Sequence, residues 1–175
     1  MCAAGKRLFG RVQPPSVGWR AVVERDKAGV ATNTTGSVLH LRLNHSEMPI
    51  EGGVLYVSYV RSYENHGIAN LTCHEGCACG ETELDAHGEL SRKVSLVTSS
   101  KPIALQRSDV ADPCILRFRL TNNTHSGNGH KFKLAGVTLA SKRLAARMRP
   151  SKVAAHHVQI DEIGEKGRYA SKSGG

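Results

Sequence analysis

The sequence has few aromatic residues and no long apolar run. Aromatic side chains make up 5% of the 175 residues and include one Trp, so a binding surface has few rings for stacking. No apolar run approaches the roughly 18 residues of a membrane-spanning helix, which excludes that class of membrane protein. Residues 1–16 lack the apolar segment of a secretory signal peptide. We therefore expect either an intracellular protein or a piece of a longer secreted one.

Motifs of the common enzyme classes are also missing. There is no G-x-S-x-G elbow, no glycine-rich phosphate loop, no H-E-x-x-H helix and no Gly-Asp-Ser block paired with Asp-x-x-His. Asp85 and His87 lie two residues apart, but no nucleophile is spaced to join them. Cys77 or Cys79 would be the nucleophile of a thiol site, yet crowded cysteines are far more often structural. The sequence predicts a protein that is not an enzyme and has no metal or cofactor.

The positive charge is concentrated near the C-terminus. Of the net charge of +9, residues 142–175 hold +5, from eight Lys or Arg and three acids, which leaves +4 on residues 1–141. A solvated basic tail is commoner than a specific nucleic-acid contact, so this distribution argues against nucleic-acid binding.

Short segments with alternating apolar and polar residues fill most of the chain before residue 138. Residues 36–43 and 114–121 each place apolar side chains on one face, as half-buried strands do. Residues 54–61 also alternate, with Val54, Tyr56, Ser58 and Val60 on one face and Leu55, Val57, Tyr59 and Arg61 on the other. The other predicted strands include residues 18–24, 93–98 and 130–140. Seven or eight such strands, with almost no helical periodicity, predict an all-β fold: a single antiparallel β-sandwich or jelly roll over residues 18–141.

The remaining segments are predicted to be irregular or helical. The predicted linker, turn and loops are residues 1–17, 26–29, 80–88 and 101–113. The basic tail, residues 142–175, is predicted to contain part of a short helix over residues 139–148, ending before Pro150, and to be disordered from residue 151.

The organising element is predicted to be a hairpin over residues 53–79, which ends in a group of cysteines. Cys73, Cys77 and Cys79, with Cys114 on a later strand, are candidates for two disulfides, one of which ties the hairpin to the Cys114 strand. The C-x3-C-x-C spacing differs from the paired C-x2-C of structural zinc sites, so zinc and free buried thiols are the alternatives. Four cysteines allow three pairings, and the sequence does not choose among them.

Four sites match the acceptor pattern for N-glycosylation, where chance would supply about one. They are Asn33, Asn44, Asn70 and Asn122. Sequons and clustered cysteines both favour the secretory pathway or an extracellular setting.

The candidates for ligand binding are grouped mainly around the predicted hairpin tip. They are Trp19, Tyr63, Glu64, Asn65, His66, His130 and Lys131. An exposed Tyr beside Glu and Asn can hold a sugar through ring stacking and hydrogen bonds to hydroxyls. In the alternative interpretation Tyr63 packs in the corner and Glu64 caps the turn, as tyrosines commonly do in β-sandwiches.

Several of these segments together resemble the C-terminal region of plant and green-algal SGNH-hydrolase-type (GDSL-like) proteins. The resemblance spans about residues 17–140 and is carried by VSYVRSYENHG at 57–67, LTC-x3-C-x-C at 71–79, CILRFR at 114–119 and HKFKLAGV at 130–137. It implies a secretory-pathway β-sandwich appended to an esterase-like domain that acts on or holds cell-wall polysaccharide. It brings no catalytic residues, because the family's Gly-Asp-Ser block has no counterpart here.

Together these features predict a non-catalytic accessory module that contacts a glycan or serves as a scaffold in the secretory pathway or cell wall. Its partners would be a polysaccharide and an SGNH hydrolase domain in a longer parent protein. The alternative is an intracellular interaction protein with reduced cysteines, whose basic tail binds an acidic partner or RNA. A third interpretation is a hydrolase with an unrecognised site.

Overall fold

Most of the predicted alternating segments form strands in the computed structural model, which describes residues 1–24, 27–88, 93–108, 113–125 and 127–147. The strands in this part of the chain, numbered in order, are β1 (Cys2–Ala4), β2 (Val12–Val17), β3 (Arg20–Glu24), β4 (Lys27–Thr32), β5 (Val38–Leu43), β6 (Gly53–Arg61), β7 (Ile68–Glu75), β8 (Cys77–Ala78), β9 (Thr82–Asp85), β10 (Leu96–Ser99), β11 (Ile103–Arg107), β12 (Cys114–Leu120) and β13 (Phe132–Ser141). The helical elements are α1 (Lys6–Phe9), a 3-10 turn (His45–Glu47) and α2 (Lys142–Ala145).

The strands form two antiparallel sheets. The first has the order β3-β4-β13-β6-β11-β8, with β1 beside β13 and β10 beside β6. The second has the order β2-β5-β12-β7-β9. The prediction of an all-β antiparallel sandwich is confirmed, with more and shorter strands than the sequence indicated.

The core lies between the two sheets and is built by the alternation of each strand. Its fully buried side chains include Leu39, Leu41, Leu43, Leu55, Val57, Leu71, Leu116, Phe118, Phe132 and Leu134. Because successive side chains of a strand point to opposite faces, the residues between these point outward from the sandwich.

The predicted hairpin over residues 53–79 is wrong. β6 pairs with β10, β11 and β13 in the first sheet, whereas β7 pairs with β9 and β12 in the second. Residues 62–67 therefore form a corner that carries the chain from one sheet to the other, and we call them the corner loop. Alternation predicts a strand and its buried face but contains no information on which strand lies beside it.

The predicted linker over residues 1–17 is also corrected. β1 pairs with β13, β2 pairs with β5, and the α-amino group of Met1 donates to Leu139 O at 2.9 Å. Between them Leu8 is fully buried in the core. The segment is part of the sandwich because its apolar residues, although too few to show a period, pack through α1 against β4 and β13.

Four smaller assignments change as well. Residues 27–29, predicted as part of a turn, begin β4, and the predicted loops 80–88 and 101–113 contain β9 and β11. The predicted helix over residues 139–148 is shortened, because β13 continues to Ser141 and α2 starts at Lys142. The predicted disorder from residue 151 lies outside the described residues.

Among the described helices, none is long and apolar enough to cross a membrane.

Candidate functional site

The corner loop is fixed against the segment that leads into β13. The Gly67 N–H donates to Lys131 O at 3.0 Å, and the Lys131 N–H donates to Asn65 O at 2.8 Å. A Cβ on Gly67 would lie 2.9 Å from the Cα of His130, so only glycine permits this approach. The structure thus brings six of the seven candidate binding residues, all except Trp19, into one region, although the sequence separates them into two segments.

A groove lies next to this region on the outer face of the first sheet. It consists of two depressions, of about 210 and 440 Å³, which share Glu24 and Lys131. Residues lining the smaller one include Arg20, Val22, Thr32 and Asn33, and those lining the larger one include Lys27, Val60, His66, Leu96, Val97 and Lys133. We call the two depressions together the Glu24 groove.

An ion cluster occupies the centre of the Glu24 groove. Lys131 Nζ donates to Glu24 Oε1 at 2.9 Å, and Lys133 Nζ donates to Glu24 Oε2 at 3.2 Å and to Lys27 O at 2.8 Å. The Lys133 side chain is 3% exposed, whereas that of Glu24 is 47% exposed. A buried ammonium therefore anchors a carboxylate that still faces solvent. The hydrogen bond from Lys131, with that from Lys133, lowers the pKa of Glu24 despite partial burial.

His66 contributes a buried imidazole to the larger depression. Its Nδ1 lies 2.8 Å from Glu64 O, and its side chain is largely hidden from water. Burial lowers the pKa of His66, although the bond to Glu64 O opposes that effect. The ring is consequently neutral at pH 7 and offers the groove a polar group without adding charge.

Two other candidate binding residues, Trp19 and Tyr63, have contacts that indicate a structural role. Trp19 packs edge-on against Phe132 at 6.0 Å between ring centroids, and Phe132 stacks on Tyr59 at 5.4 Å, so Trp19 closes one end of the core. Tyr63 is half-buried beside the exposed Glu64, whose charge raises the pKa of the phenol. Neither is among the described residues that line the groove. Their role in binding remains a prediction.

The four candidate cysteines form two disulfides, Cys73–Cys79 and Cys77–Cys114. The second ties the segment after β7 to β12, as predicted. The sulfur atoms of Cys73, Cys77 and Cys114 lie within 4.8 Å of one another. Zinc binds thiolates, whereas these three sulfurs are bonded in disulfides, which is the arrangement of the disulfide interpretation.

The predicted glycosylation sites differ in accessibility. Asn33, Asn44 and Asn122 are exposed. Asn70 is half-buried, and its Nδ2 donates to Glu81 Oε1 at 2.7 Å. Asn33 also lines the smaller depression of the groove, so a glycan at this residue would compete with a ligand there.

Glu24, Lys133 and Arg20 were missed by the sequence interpretation. Lys133 had a detectable signal, because it follows Lys131 by two residues on a predicted strand and so shares its face. Glu24 had none, since it lies 107 residues from Lys131 in sequence.

The acid stability of the protein should depend on Glu24 and Glu47. Both have lowered pKa values, Glu24 through Lys131 and Glu47 through its bidentate pair with Arg11. Their stabilising contribution is complete well above the unfolded pKa of about 4.3 and is lost as pH falls through the lower folded pKa. We expect the melting temperature to fall less between pH 6 and pH 3 in the double variant Glu24→Gln, Glu47→Gln than in the wild type.

The control for this measurement is Glu51→Gln, at an exposed residue in the turn before β6. It should keep the wild-type pH dependence. An equal fall in all three proteins would show that other carboxylates dominate acid unfolding.

Comparisons with known proteins identify the fold but no family. No protein-family model matches the sequence, and no curated protein matches it. The chain is similar to the crystal structure of a two-domain esterase active on acetylated mannans, co-crystallised with mannopentaose, with a TM-score of 0.50 and 19% identity. The match covers 75% of this chain and 34% of the esterase, so the chain spans about a third of that protein's length.

Weaker matches are carbohydrate-binding modules. One is a CBM36 in complex with calcium and xylotriose (TM-score 0.48, 10% identity, 80% of this chain and 99% of the other). Another is the C-terminal CBM6 of a laminarinase from Zobellia galactanivorans (TM-score 0.47, 11% identity, 81% and 98%). At such identities the likeness concerns the fold alone.

Proposed function

We propose that this chain is a non-catalytic module that binds a glycan in the Glu24 groove. The observation that carries the proposal is the half-exposed Glu24 carboxylate, fixed by Lys131 and by the buried Lys133. A carboxylate accepts and an ammonium donates hydrogen bonds, so adjacent sugar hydroxyls could bind to both at once. Because the cluster is already ordered, little entropy is lost when a ligand binds. The larger depression, about 440 Å³, is within the range of small-ligand sites.

The same cluster is unsuited to glycoside hydrolysis. That reaction generally uses two carboxyl groups, one of them protonated through a raised pKa. Among the described residues that line the groove, Glu24 is the one carboxylate, and its pKa is lowered. Glu24 therefore stays ionised at neutral pH and cannot donate a proton to a leaving group.

The wider setting is part of the proposal. The resemblance to SGNH-hydrolase-type proteins supports an accessory role beside an esterase domain in a longer secretory or cell-wall protein. The fold shared with part of a two-domain esterase is consistent with this arrangement. The two disulfides and the three exposed sequons favour an oxidising compartment.

Glu24→Gln should weaken glycan binding at least tenfold. The change keeps the shape of the side chain but removes the charge that strengthens its hydrogen bonds, and hydrogen bonds to charged groups contribute about 1.5–3 kcal/mol each. The measurement is isothermal titration against soluble mannan, xylan and β-glucan, with protein made in a host that adds no N-glycans. Lys131→Gln should also weaken binding while leaving the Glu24–Lys133 pair in place.

The control is Glu51→Gln, which makes the same chemical change at an exposed turn outside the groove. The proposal fails if none of these polysaccharides binds, or if the Glu24 and Lys131 variants bind like the wild type. Release of acetate from acetylated glycans by the isolated chain would instead support a hydrolase. Salt-sensitive RNA binding that is lost on deletion of residues 142–175 would support the intracellular alternative.

A further inference from the structure

The outer face of the second sheet carries a group of arginines that lies apart from the Glu24 groove. In β12 the side chains of Leu116, Phe118 and Leu120 are fully buried, so Arg117 and Arg119 between them point outward. On the neighbouring β5 the same alternation turns Arg42 outward, since Leu41 and Leu43 are buried. Arg42 and Arg119 are exposed and Arg117 is half-buried.

The register of the sheet places these three arginines along one diagonal of its outer face. Arg117 pairs with His40 of β5, which is two residues from Arg42, and Arg119 follows Arg117 by two residues. Side chains on one face repeat about every 6.8 Å along a strand, and neighbouring strands are about 4.8 Å apart. Arg42, Arg117 and Arg119 thus form a row with about 7–8 Å between neighbouring backbone positions, which we call the arginine face.

None of the three guanidinium groups forms an ion pair or a side-chain hydrogen bond among the residues that the structure describes. Acids border this face without pairing with the three arginines. On the β7 and β9 side, Asn70 is opposite Arg119, Glu81 accepts from Asn70, and Glu83 is opposite Asn70. On the β5 side, Glu47 is bonded to Arg11. Within the part of the chain that the structure describes, Arg42, Arg117 and Arg119 therefore have no direct carboxylate partner and remain available to an anionic ligand.

The face is also polar rather than aromatic. The outward residues of β5, β12 and β7 include His40 and Thr72, which lie opposite Arg117 on either side, and His74, whose ring is 5.8 Å from that of His40. Phe, Tyr and Trp are absent from the described outward positions of these three strands. Single-stranded nucleic acids gain much of their affinity from bases stacked on such rings, so this face is poorly suited to them.

We propose that the arginine face binds an acidic polysaccharide, one that bears uronate carboxylates or sulfate groups. Guanidinium groups match carboxylate and sulfate oxygens through paired N–H donors, and a row of them fits a chain with regularly repeated charge. This second site is independent of the neutral-glycan site proposed in the Glu24 groove. A module with both would contact two kinds of polysaccharide through opposite faces of the sandwich.

The test compares polygalacturonate with its fully methyl-esterified form, which keeps the sugar backbone and removes the charge. The full-length protein is made in a bacterial periplasm. This compartment is oxidising, so the disulfides form, and no N-glycan is added at Asn70. We expect affinity electrophoresis in 50 mM NaCl to show binding to polygalacturonate but not to the ester. Arg117→Thr with Arg119→Thr should weaken that binding about tenfold and reduce its dependence on salt, because exposed charge pairs are individually weak but add along a polyanion.

The matched control is Arg143→Thr with Arg147→Thr, which removes the same charge from the exposed residues of and beside α2. This control variant should change polygalacturonate binding less than twofold, and Glu24→Gln should leave polygalacturonate binding unchanged. Equal losses in the two arginine pairs, equal binding of the methyl ester, or tighter binding of single-stranded RNA through Arg117 and Arg119 would each overturn the proposal. Thermal melting of each variant checks that the fold is retained. If the double variant does not fold, Arg42→Thr alone provides a milder one.

Discussion

Replacing Cys77 and Cys114 by alanine should lower the free energy of unfolding by about 4 kcal/mol. The bond joins residues 37 apart, so it restricts a long loop of the unfolded chain, and loop entropy of this length corresponds to about that stabilisation. It also connects the segment after β7 to β12, and Cys114 is fully buried. Urea titration of wild type and variant, with both midpoint and slope fitted, gives the difference.

The second disulfide is the internal control for this expectation. Cys73 and Cys79 are six residues apart, so their removal should cost less, about 2 kcal/mol on the same entropy argument. A loss under 1 kcal/mol for the Cys77–Cys114 bond, or a larger loss for Cys73–Cys79, would contradict it. Alkylation of the unreduced, denatured protein checks the starting material, since only Cys2 is free among the five cysteines.

Leu8→Ala should destabilise the protein by about 2–5 kcal/mol, the usual cost of truncating a buried leucine. Leu8 is fully buried within α1, in a segment whose sequence predicts a linker. Its side chain belongs to the core cluster that includes Leu39 and Phe132. Truncation would therefore leave a cavity between the N-terminal segment and the sandwich.

Val17→Ala is the matched control within the same segment. Val17 ends β2 and is 66% exposed, so we expect a change within about 0.5 kcal/mol. If Leu8→Ala changes the urea midpoint no more than Val17→Ala does, residues 1–17 are the linker that the sequence predicts.

The sequence predicted the parts of the fold that local alternation determines. β5 and β12 have the expected buried faces, because the period of two in a strand is a property of a few consecutive residues. β6 forms the predicted strand, but residues on both of its faces, including Tyr56 and Val57, are buried. Two disulfides among four cysteines were also predicted, since three cysteines cluster within residues 73–79 and Cys114 begins a later strand. β9 and β11 were missed, because polar and proline-containing segments can pair through their backbones without a clear apolar pattern.

The candidate site also has a part that the sequence predicted and a part that it did not. The corner loop and Lys131 were selected from the sequence, because turn residues and exposed charges are recognisable one segment at a time. The Glu24 groove was not, since its cluster depends on β3 and β13 both flanking β4. The partners of Glu24 follow it by 107 and 109 residues, and no local pattern connects them.

By itself, then, the sequence of this protein determined its class: alternating strands, an antiparallel sandwich, and four cysteines that form two disulfides. Only the tertiary structure decided that residues 62–67 turn between sheets, which cysteines pair, and which charges meet in the groove and on the arginine face. The physical reason is that alternation follows from backbone geometry within a strand, whereas the choice of neighbouring strand depends on how the whole core closes.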